Sequence, residues 1–188
     1  MELTGAKIAV LVENYYQELE VWYPLLRCRE AGADAFTVAA EAGQTYKSKL
    51  GYPVVADRSI DSVRAEDLDA VVIPGGWAPD FLRQDERMVE LVRQMDRQGK
   101  VVASICHAGW MLCSARILKG RRATSYKSIR DDMINAGADY RDEEVVVDGN
   151  LITSRTPQDL PAFCREILRL VSSSKKASRQ ASEVGAKS

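Results

Sequence analysis

The sequence predicts an α/β protein of the doubly wound class, built around a mainly parallel sheet. Short apolar runs of strand length alternate along the 188-residue chain with segments of helical periodicity. The runs lack the polar alternation of a half-exposed strand, which indicates strands buried on both faces, as in parallel sheets. Ligands of such folds bind at the carboxyl ends of the strands, so we expect the loops that follow the strands to form the site.

The predicted strands are short apolar runs that end at turns or polar loops. Glycine and proline divide residues 41–58 into an antiparallel hairpin excursion. Asp148-Gly149 predicts a type I′ turn in a second hairpin, and we assign it turn chemistry alone. The predicted strands cover residues 6–12, 34–40, 69–73, 101–105, 122–126, 145–147 and 151–154.

The predicted helices repeat apolar residues every three to four positions. Gly32, Gly99 and Gly137 follow three of them, at the position where glycine commonly ends a helix. Pro24 lies inside the first helical pattern and predicts a first turn that begins late or is kinked. The predicted helices cover residues 19–31, 79–98, 111–118, 129–136 and 160–171.

The composition is that of one ordinary globular domain, which we place at residues 1–171. The net charge is -1, so we expect no nucleic-acid partner and no membrane partner. No apolar stretch is long enough to span a bilayer and the first residues lack a signal-peptide pattern, which predicts a cytoplasmic location. Residues 172–188 are rich in serine, lysine and alanine, which predicts a disordered tail.

The cysteines and the histidine are too few and too scattered for a metal site. The four cysteines lie at positions 28, 106, 113 and 164 and show no paired ligand spacing, and there is one histidine. We therefore expect no metal and no cofactor. In a reducing compartment the cysteines should be free thiols, and we assign Cys28, Cys113 and Cys164 to the core.

Cys106 has the sequence context of a nucleophile elbow, a sharp strand-turn-helix corner. An apolar run ends at Ile105, and Ser104 and Ala108 supply the small neighbours that the corner needs. The amino end of the following helix would favour a thiolate. His107, the only histidine, follows directly and could move the thiol proton. The alternative is that Cys106 is a buried structural cysteine, which is the commoner role of a free cysteine.

Three further positions could support chemistry at this corner. Glu20 does not fit a purely polar helix face, and a partly buried carboxyl there would have a raised pKa and could hydrogen-bond the sulfur. Gly75-Gly76 forms a turn by default, but its amides could also supply an oxyanion hole. Asp80 is either a helix N-terminal acid or the group that orients the imidazole.

Several segments in this order resemble the PfpI intracellular protease family of the ThiJ/PfpI superfamily, which is related to class I glutamine amidotransferases. They are Pro-Gly-Gly-Trp-Ala-Pro-Asp, Ala-Ser-Ile-Cys-His-Ala-Gly, Leu-Lys-Gly-Arg-Arg-Ala-Thr-Ser-Tyr and Arg-Asp-Asp-Met-Ile-Asn-Ala-Gly-Ala. The resemblance covers residues 7–171. It implies a flavodoxin-like three-layer sandwich, a nucleophile-elbow cysteine and a homodimer or higher homo-oligomer.

The resemblance also implies a role for each candidate site residue. Cys106 matches the nucleophile and His107 its partner, and the Gly76 and His107 amides match the oxyanion donors. Glu20 matches the glutamate that hydrogen-bonds the cysteine sulfur. Asp80 falls where the family places a glutamate that completes the triad across a subunit interface.

Three departures from the family pattern bear on activity. Asp80 is one methylene shorter than the family glutamate, so its reach to a neighbouring His107 is reduced. Gln17 stands where many relatives carry a second glutamate near the sulfur. Ala108-Gly109 follows the histidine where relatives often have Gly-Pro or Gly-Ala.

Three functions remain open at this level. The first is a cysteine-dependent hydrolase, either a peptidase or a deglycase or glyoxalase, that acts on a small carbonyl or peptide substrate. The second is a redox sensor or chaperone-like stress protein whose Cys106 is oxidised to sulfenic or sulfinic acid. The third is an interaction module with a structural Cys106, whose pKa would lie near the free-thiol value of about 8.5.

Overall fold

The computed structural model describes residues 2–185, and the side chains of residues 2–177 within them. The strands are β1 Lys7–Leu11, β2 Asp34–Ala39, β3 Thr45–Lys47, β4 Pro53–Val55, β5 Arg58–Ser59, β6 Ala70–Ile73, β7 Val101–Ile105, β8 Arg122–Ala123, β9 Asp139–Tyr140, β10 Val145–Asp148 and β11 Leu151–Ser154. The helices are α1 Glu18–Glu30, α2 Ala78–Leu82, α3 Glu86–Arg97, α4 Gly109–Ala115, α5 Arg130–Asn135 and α6 Leu160–Gly185. Single 3₁₀ turns cover Ile60–Ser62, Ala65–Asp67, Cys106–Ala108, Lys127–Ile129 and Pro157–Asp159.

A seven-stranded sheet in the order β10-β11-β7-β6-β1-β2-β5 forms the middle layer. All its neighbouring strands are parallel except β10 and β11, which pair antiparallel. Helices α1 and α6 pack together on one face, and α3 and α4 pack on the other. The chain is therefore the expected flavodoxin-like three-layer α/β sandwich, and the buried strands explain the continuous apolar runs.

The sheet reverses its direction of growth next to β1, and this reversal positions the site. β1 pairs with β2 on one side and with β6 on the other, and β7 then adds outside β6. The loops after β1, β6 and β7 consequently leave the same edge of the sheet. Ligands of open α/β sheets bind at such a switch point.

The helix expected over residues 79–98 is two helices in the structure. Helix α2 ends at Leu82, and α3 begins at Glu86 after Asp85, whose side chain accepts a hydrogen bond from the Arg87 amide. Aspartate is a strong N-cap residue, so a new helix starts where the apolar periodicity alone shows no break. Helix α1 begins at Glu18, so Pro24 does not delay its start.

The last helix and the second hairpin also differ from expectation. Helix α6 runs to Gly185, past Val171, where the sequence predicted its end. Alanine, lysine, arginine and glutamine are good helix formers, so the helix continues without apolar anchors. Residues 186–188 of the expected tail lie outside the described residues. In the hairpin turn, Gly149 has a φ of +60° but Asn150 is not left-handed, a pattern of type II′ rather than I′.

The two short strand pairs lie outside the main sheet. Strands β3 and β4 form the antiparallel hairpin expected within residues 41–58. The strand expected at 122–126 is reduced to the two residues of β8, which pair in parallel with β9. Among the helices of the described residues, none is long and apolar enough to cross a membrane.

Candidate active site

Cys106 occupies the sharp corner between β7 and the helical segment that follows it. Ile105 is the last extended residue, and Cys106 has a φ of 63°. A left-handed non-glycine residue costs about 1–2 kcal/mol and is held only where the surroundings enforce it. The fold encloses this corner tightly, because a Cβ added to Gly75 would lie 2.6 Å from Cys106 Cβ. The nucleophile elbow predicted from the sequence is therefore present.

The three predicted loops meet at this corner. Tyr16, in the loop after β1, forms an isolated β-bridge with Gly76 in the loop after β6. The Trp77 amide donates to the Tyr15 carbonyl over 2.9 Å, which ties the same two loops again. The convergence inferred from strand order is confirmed, because these backbone contacts fix the loops against one another beside Cys106.

Glu20 is a fully buried carboxyl next to the cysteine. Its Oε2 accepts the Gly75 amide at 2.7 Å, and its backbone N–H is capped by the Gln17 side chain at 3.0 Å. Burial raises the pKa of Glu20 to about 7, while hydrogen bonds from Gly75 and Cys106 act in the opposite direction. Oε1 has no partner in the described part of the chain. The carboxyl can therefore hold or release a proton near neutral pH.

The sulfur of Cys106 faces two opposing influences. Burial and then the negative charge of Glu20 raise the pKa of Cys106 to about 12, while the Gly76 and His107 amides lower it. The raised pKa contradicts the expected low-pKa thiolate. Helix α4 starts three residues after the cysteine, so the effect of burial outweighs that of the helix dipole. Protonation of Glu20 would remove the repulsion and favour ionisation of the sulfur. The two amides are those expected to hold an oxyanion.

His107 contacts the sulfur and a serine that the sequence did not indicate. Its Nδ1 lies 3.3 Å from Cys106 Sγ, and its Nε2 lies 3.0 Å from Ser128 Oγ. The ring stacks on Tyr126 with centroids 4.9 Å apart and meets the edge of Trp110 at 5.4 Å. Burial, and then the positive charge of Lys49, lower the pKa of His107. The imidazole is therefore neutral at neutral pH, in the form that can accept a proton.

Asp80 does not join this group within one chain. It is exposed in the first turn of α2, and neither ring nitrogen of His107 contacts a carboxylate within residues 2–177. Ser128 and Tyr126 contact the His107 ring instead, although they lie about 20 residues further along the chain. No spacing rule links them to the elbow, because tertiary contacts position the turn after β8 that carries them.

The remaining cysteines lie away from this constellation. Burial raises the pKa of Cys28 and of Cys164 to about 12, as expected of core thiols. Cys113 is only half-buried, and its thiol contacts the Asp132 carbonyl at 3.8 Å, so its assignment to the core is correct only in part. All four cysteines are free thiols.

The fold and the site define a flavodoxin-like α/β protein with a cysteine nucleophile elbow backed by a buried glutamate. Residues 6–170 match the sequence profile of the DJ-1/PfpI family. The chain belongs to this family, which confirms the resemblance drawn from the motifs.

Similar proteins match almost the whole folded region. The chain is 46% identical to deglycase PfpI of Pyrococcus furiosus over 165 residues, which are 88% of this chain and 99% of that one. It is 47% identical to general stress protein 18 of Bacillus subtilis over 169 residues, which are 89% and 98% of the two chains. A two-domain protein of Anabaena variabilis with DJ-1/ThiJ/PfpI-like and ferritin-like domains superimposes with a TM-score of 0.85 at 41% identity. That match covers 87% of this chain and 47% of the two-domain chain.

Proposed function

We propose that this protein is a stress-related cysteine-dependent hydrolase of the PfpI type, which acts as a deglycase on carbonyl adducts with Cys106 as nucleophile. The proposal rests on the groups that surround the Cys106 sulfur at the elbow. Its sulfur faces the Gly76 and His107 amides and the Glu20 carboxyl, and it lies 3.3 Å from an imidazole nitrogen. The names of the similar proteins, a deglycase and a general stress protein, support it.

The chemistry begins with addition of the sulfur to a carbonyl carbon. The thiol proton moves to His107 Nδ1 as the new carbon–sulfur bond forms, and the carbonyl electron pair moves onto oxygen. The Gly76 and His107 amides stabilise that oxyanion, and Glu20 sets the ionisation of the thiol. His107 then returns its proton to the amine or thiol as that group leaves the adduct. A hydrogen shifts between the two carbons of the dicarbonyl fragment, and one water cleaves the carbon–sulfur bond, which releases a hydroxy acid and frees the Cys106 thiol.

The site favours carbonyl adducts over ordinary peptides. Cleavage of an amide needs a strong nucleophile and a well-stabilised imidazolium, but burial raises the pKa of Cys106 and lowers that of His107. Within the described chain no carboxylate hydrogen-bonds either nitrogen of that ring to stabilise its cation. A small, reactive carbonyl compound makes a weaker demand on both groups. Peptidase activity is the second reaction that the same first step allows.

Turnover of adducts made from methylglyoxal and N-acetyllysine or N-acetylcysteine tests the proposal. Wild-type protein should release the free amine or thiol, and Cys106→Ala should reduce the rate to background. Cys113→Ala is the matched control, because it removes a half-buried thiol outside the elbow, and it should retain wild-type turnover. An unchanged rate in Cys106→Ala would show that the mechanism is wrong.

A second candidate function is redox sensing through the same sulfur. Its specific support is Glu20, whose protonated form near neutral pH could donate a hydrogen bond to an oxidised Cys106. Peroxide would convert the thiol to sulfenic acid with release of water. Mass spectrometry after peroxide treatment should find the oxidation at Cys106. Oxidation confined to Cys28, Cys113 or Cys164 would argue against this function.

We further propose a small carbonyl or peptide substrate, a homodimer or higher homo-oligomer, and a cytoplasmic location. The location is supported by four free thiols, which persist in reducing compartments. The assembly is supported by family membership and by exposed aromatic side chains beside Asp80. In such an assembly Asp80 could approach the His107 of a neighbouring subunit.

A further inference from the structure

Both nitrogens of the His107 ring have a partner within one chain. Cys106 Sγ lies 3.3 Å from Nδ1, and Ser128 Oγ lies 3.0 Å from Nε2. Tyr126 covers one face of the ring and the edge of Trp110 approaches it at 62°. Since these contacts fix the ring in place, what decides its chemistry is which nitrogen carries the proton of the neutral imidazole.

The two partners differ strongly as hydrogen-bond acceptors. A thiol sulfur accepts weakly, and this sulfur already faces the Gly76 and His107 amides. The Ser128 hydroxyl oxygen is a good acceptor, and the residue is exposed, so its own proton can bond to solvent. The favoured arrangement places the ring proton on Nε2, which donates to Ser128, and leaves the lone pair of Nδ1 directed at the thiol.

We infer that Ser128 is a positioning residue that holds the ring proton of His107 on Nε2 and thereby leaves Nδ1 free to accept the thiol proton of Cys106. The inference rests on the proposed function for its catalytic consequence. The thiol proton moves to Nδ1 when the sulfur adds to a carbonyl, and Nδ1 later gives it to the leaving group. Ser128 accepts the Nε2–H hydrogen bond throughout and gains or loses no proton.

The backbone ties Ser128 to the elbow. The Tyr126 amide donates to the Cys106 carbonyl over 3.1 Å, and the Ile129 amide donates back to the Tyr126 carbonyl, also over 3.1 Å. Ile129 is buried, so the turn that carries Ser128 is anchored on both sides. Within one chain, Ser128 takes the orienting place for which Asp80 was the candidate. Because a hydroxyl is neutral, it orients the ring without stabilising the imidazolium as a carboxylate would.

Nitrogen NMR of the wild-type protein tests the tautomer directly. His107 is the only histidine, so its two ring nitrogens can be observed in ¹⁵N-labelled protein without assignment ambiguity. At pH 8 we expect a protonated Nε2 and an unprotonated Nδ1. In Ser128→Ala the Nδ1–H form should gain population, and Ser128→Thr, which keeps the hydroxyl, should restore the wild-type spectrum. Ser173→Ala, which removes an exposed serine hydroxyl from α6, should leave it unchanged.

Adduct turnover supplies the second measurement. Ser128→Ala should lower kcat about tenfold with little change in KM, because binding contacts remain while the base is misplaced. A wild-type spectrum with Nδ1 protonated, or one that Ser128→Ala leaves unchanged, would overturn the inference. So would a tautomer change in Asp80→Asn without one in Ser128→Ala. The spectrum does not depend on turnover, so failure of the proposed function remains distinguishable.

Discussion

Glu20 links the stability of the fold to pH at the scale of a single residue. Burial raises its pKa from 4.5 to about 7, so the folded state keeps a proton that the unfolded state releases as the pH rises above 4.5. The stability contributed by the neutral carboxyl is complete below pH 4.5 and is lost as the pH rises to about 7. At 1.36 kcal/mol per pKa unit, the loss is roughly 3 kcal/mol.

Glu20→Gln should therefore stabilise the protein at high pH while it impairs the site. The amide oxygen can still accept the Gly75 N–H, but the side chain no longer titrates. The variant's free energy of unfolding minus that of wild type should be larger at pH 8 than at pH 4.5 by about 1–3 kcal/mol. Urea unfolding at both pH values measures this difference, and adduct turnover should fall. Equal differences at the two pH values would contradict the assigned pKa.

Gly75→Ala should damage the site through crowding alone. The added Cβ would lie 2.6 Å from Cys106 Cβ, 2.7 Å from Glu20 Oε2 and 3.0 Å from the His107 amide nitrogen. Because these atoms belong to the elbow and its oxyanion donors, we expect at least a hundredfold loss of kcat, as when an oxyanion donor is removed. Steady-state kinetics and circular dichroism would separate lost activity from lost folding.

Gly99→Ala is the matched control for that variant. Gly99 has a φ of +66° and open space around its Cβ position, so alanine there adds backbone strain without crowding. It should destabilise the fold by about 1 kcal/mol and keep full activity. If both variants lost activity equally, close packing at Gly75 would not explain the effect.

At the scale of elements, the break between α2 and α3 depends on one side chain. Asp85 accepts the Arg87 amide at 3.0 Å and also pairs with the Arg87 guanidinium at 2.7 Å. Asp85→Ala should lower the free energy of unfolding by about 1 kcal/mol, the usual effect of removing an N-cap. Asp61→Ala removes the other, exposed carboxylate that pairs with Arg87 and should cost less than about 0.5 kcal/mol. If both variants lowered the free energy of unfolding equally, the ion pair with Arg87 rather than the N-cap would account for the stability.

The order and type of the main elements could be read from the sequence because apolar periodicity determines what is buried. The parallel strands and the elbow were predicted in this way, and so was Glu20, whose position did not fit a polar helix face. The starts and ends of helices that depend on individual side chains were harder to predict. Asp85 restarts a helix within a continuous pattern, and α6 continues past Val171, where Lys175 bonds to the Gly5 carbonyl.

Parts of the site could not be predicted because they depend on tertiary contacts. Ser128 reaches His107 only because the turn after β8 packs against the elbow, and no sequence spacing records that contact. The raised pKa of Cys106 depends on how deeply the corner is buried, which composition does not give. The helix dipole was expected to dominate, but burial and the charge of Glu20 outweigh it.

At the scale of the whole molecule, an exposed aromatic cluster of Tyr15, Trp77 and Phe81 stands beside Asp80. The three side chains are 48%, 55% and 44% exposed. The ring centroid of Tyr15 lies 6.0 Å from that of Trp77 and 5.9 Å from that of Phe81. Tryptophan, tyrosine and phenylalanine are enriched at protein interfaces. The cluster is therefore the surface on which we expect the proposed homo-oligomer to form.

Phe81→Glu tests this assembly surface. A carboxylate buried at an apolar contact without a partner would cost several kcal/mol of association free energy. We expect the variant to have a smaller mass than wild type by light scattering after size exclusion, with an unchanged circular dichroism spectrum. Phe81→Leu keeps the position apolar and should retain the wild-type mass. An unchanged mass in Phe81→Glu would assign assembly to another surface. Asp80 lies on α2 next to Phe81, so it would then have no route to a neighbouring His107 through this contact.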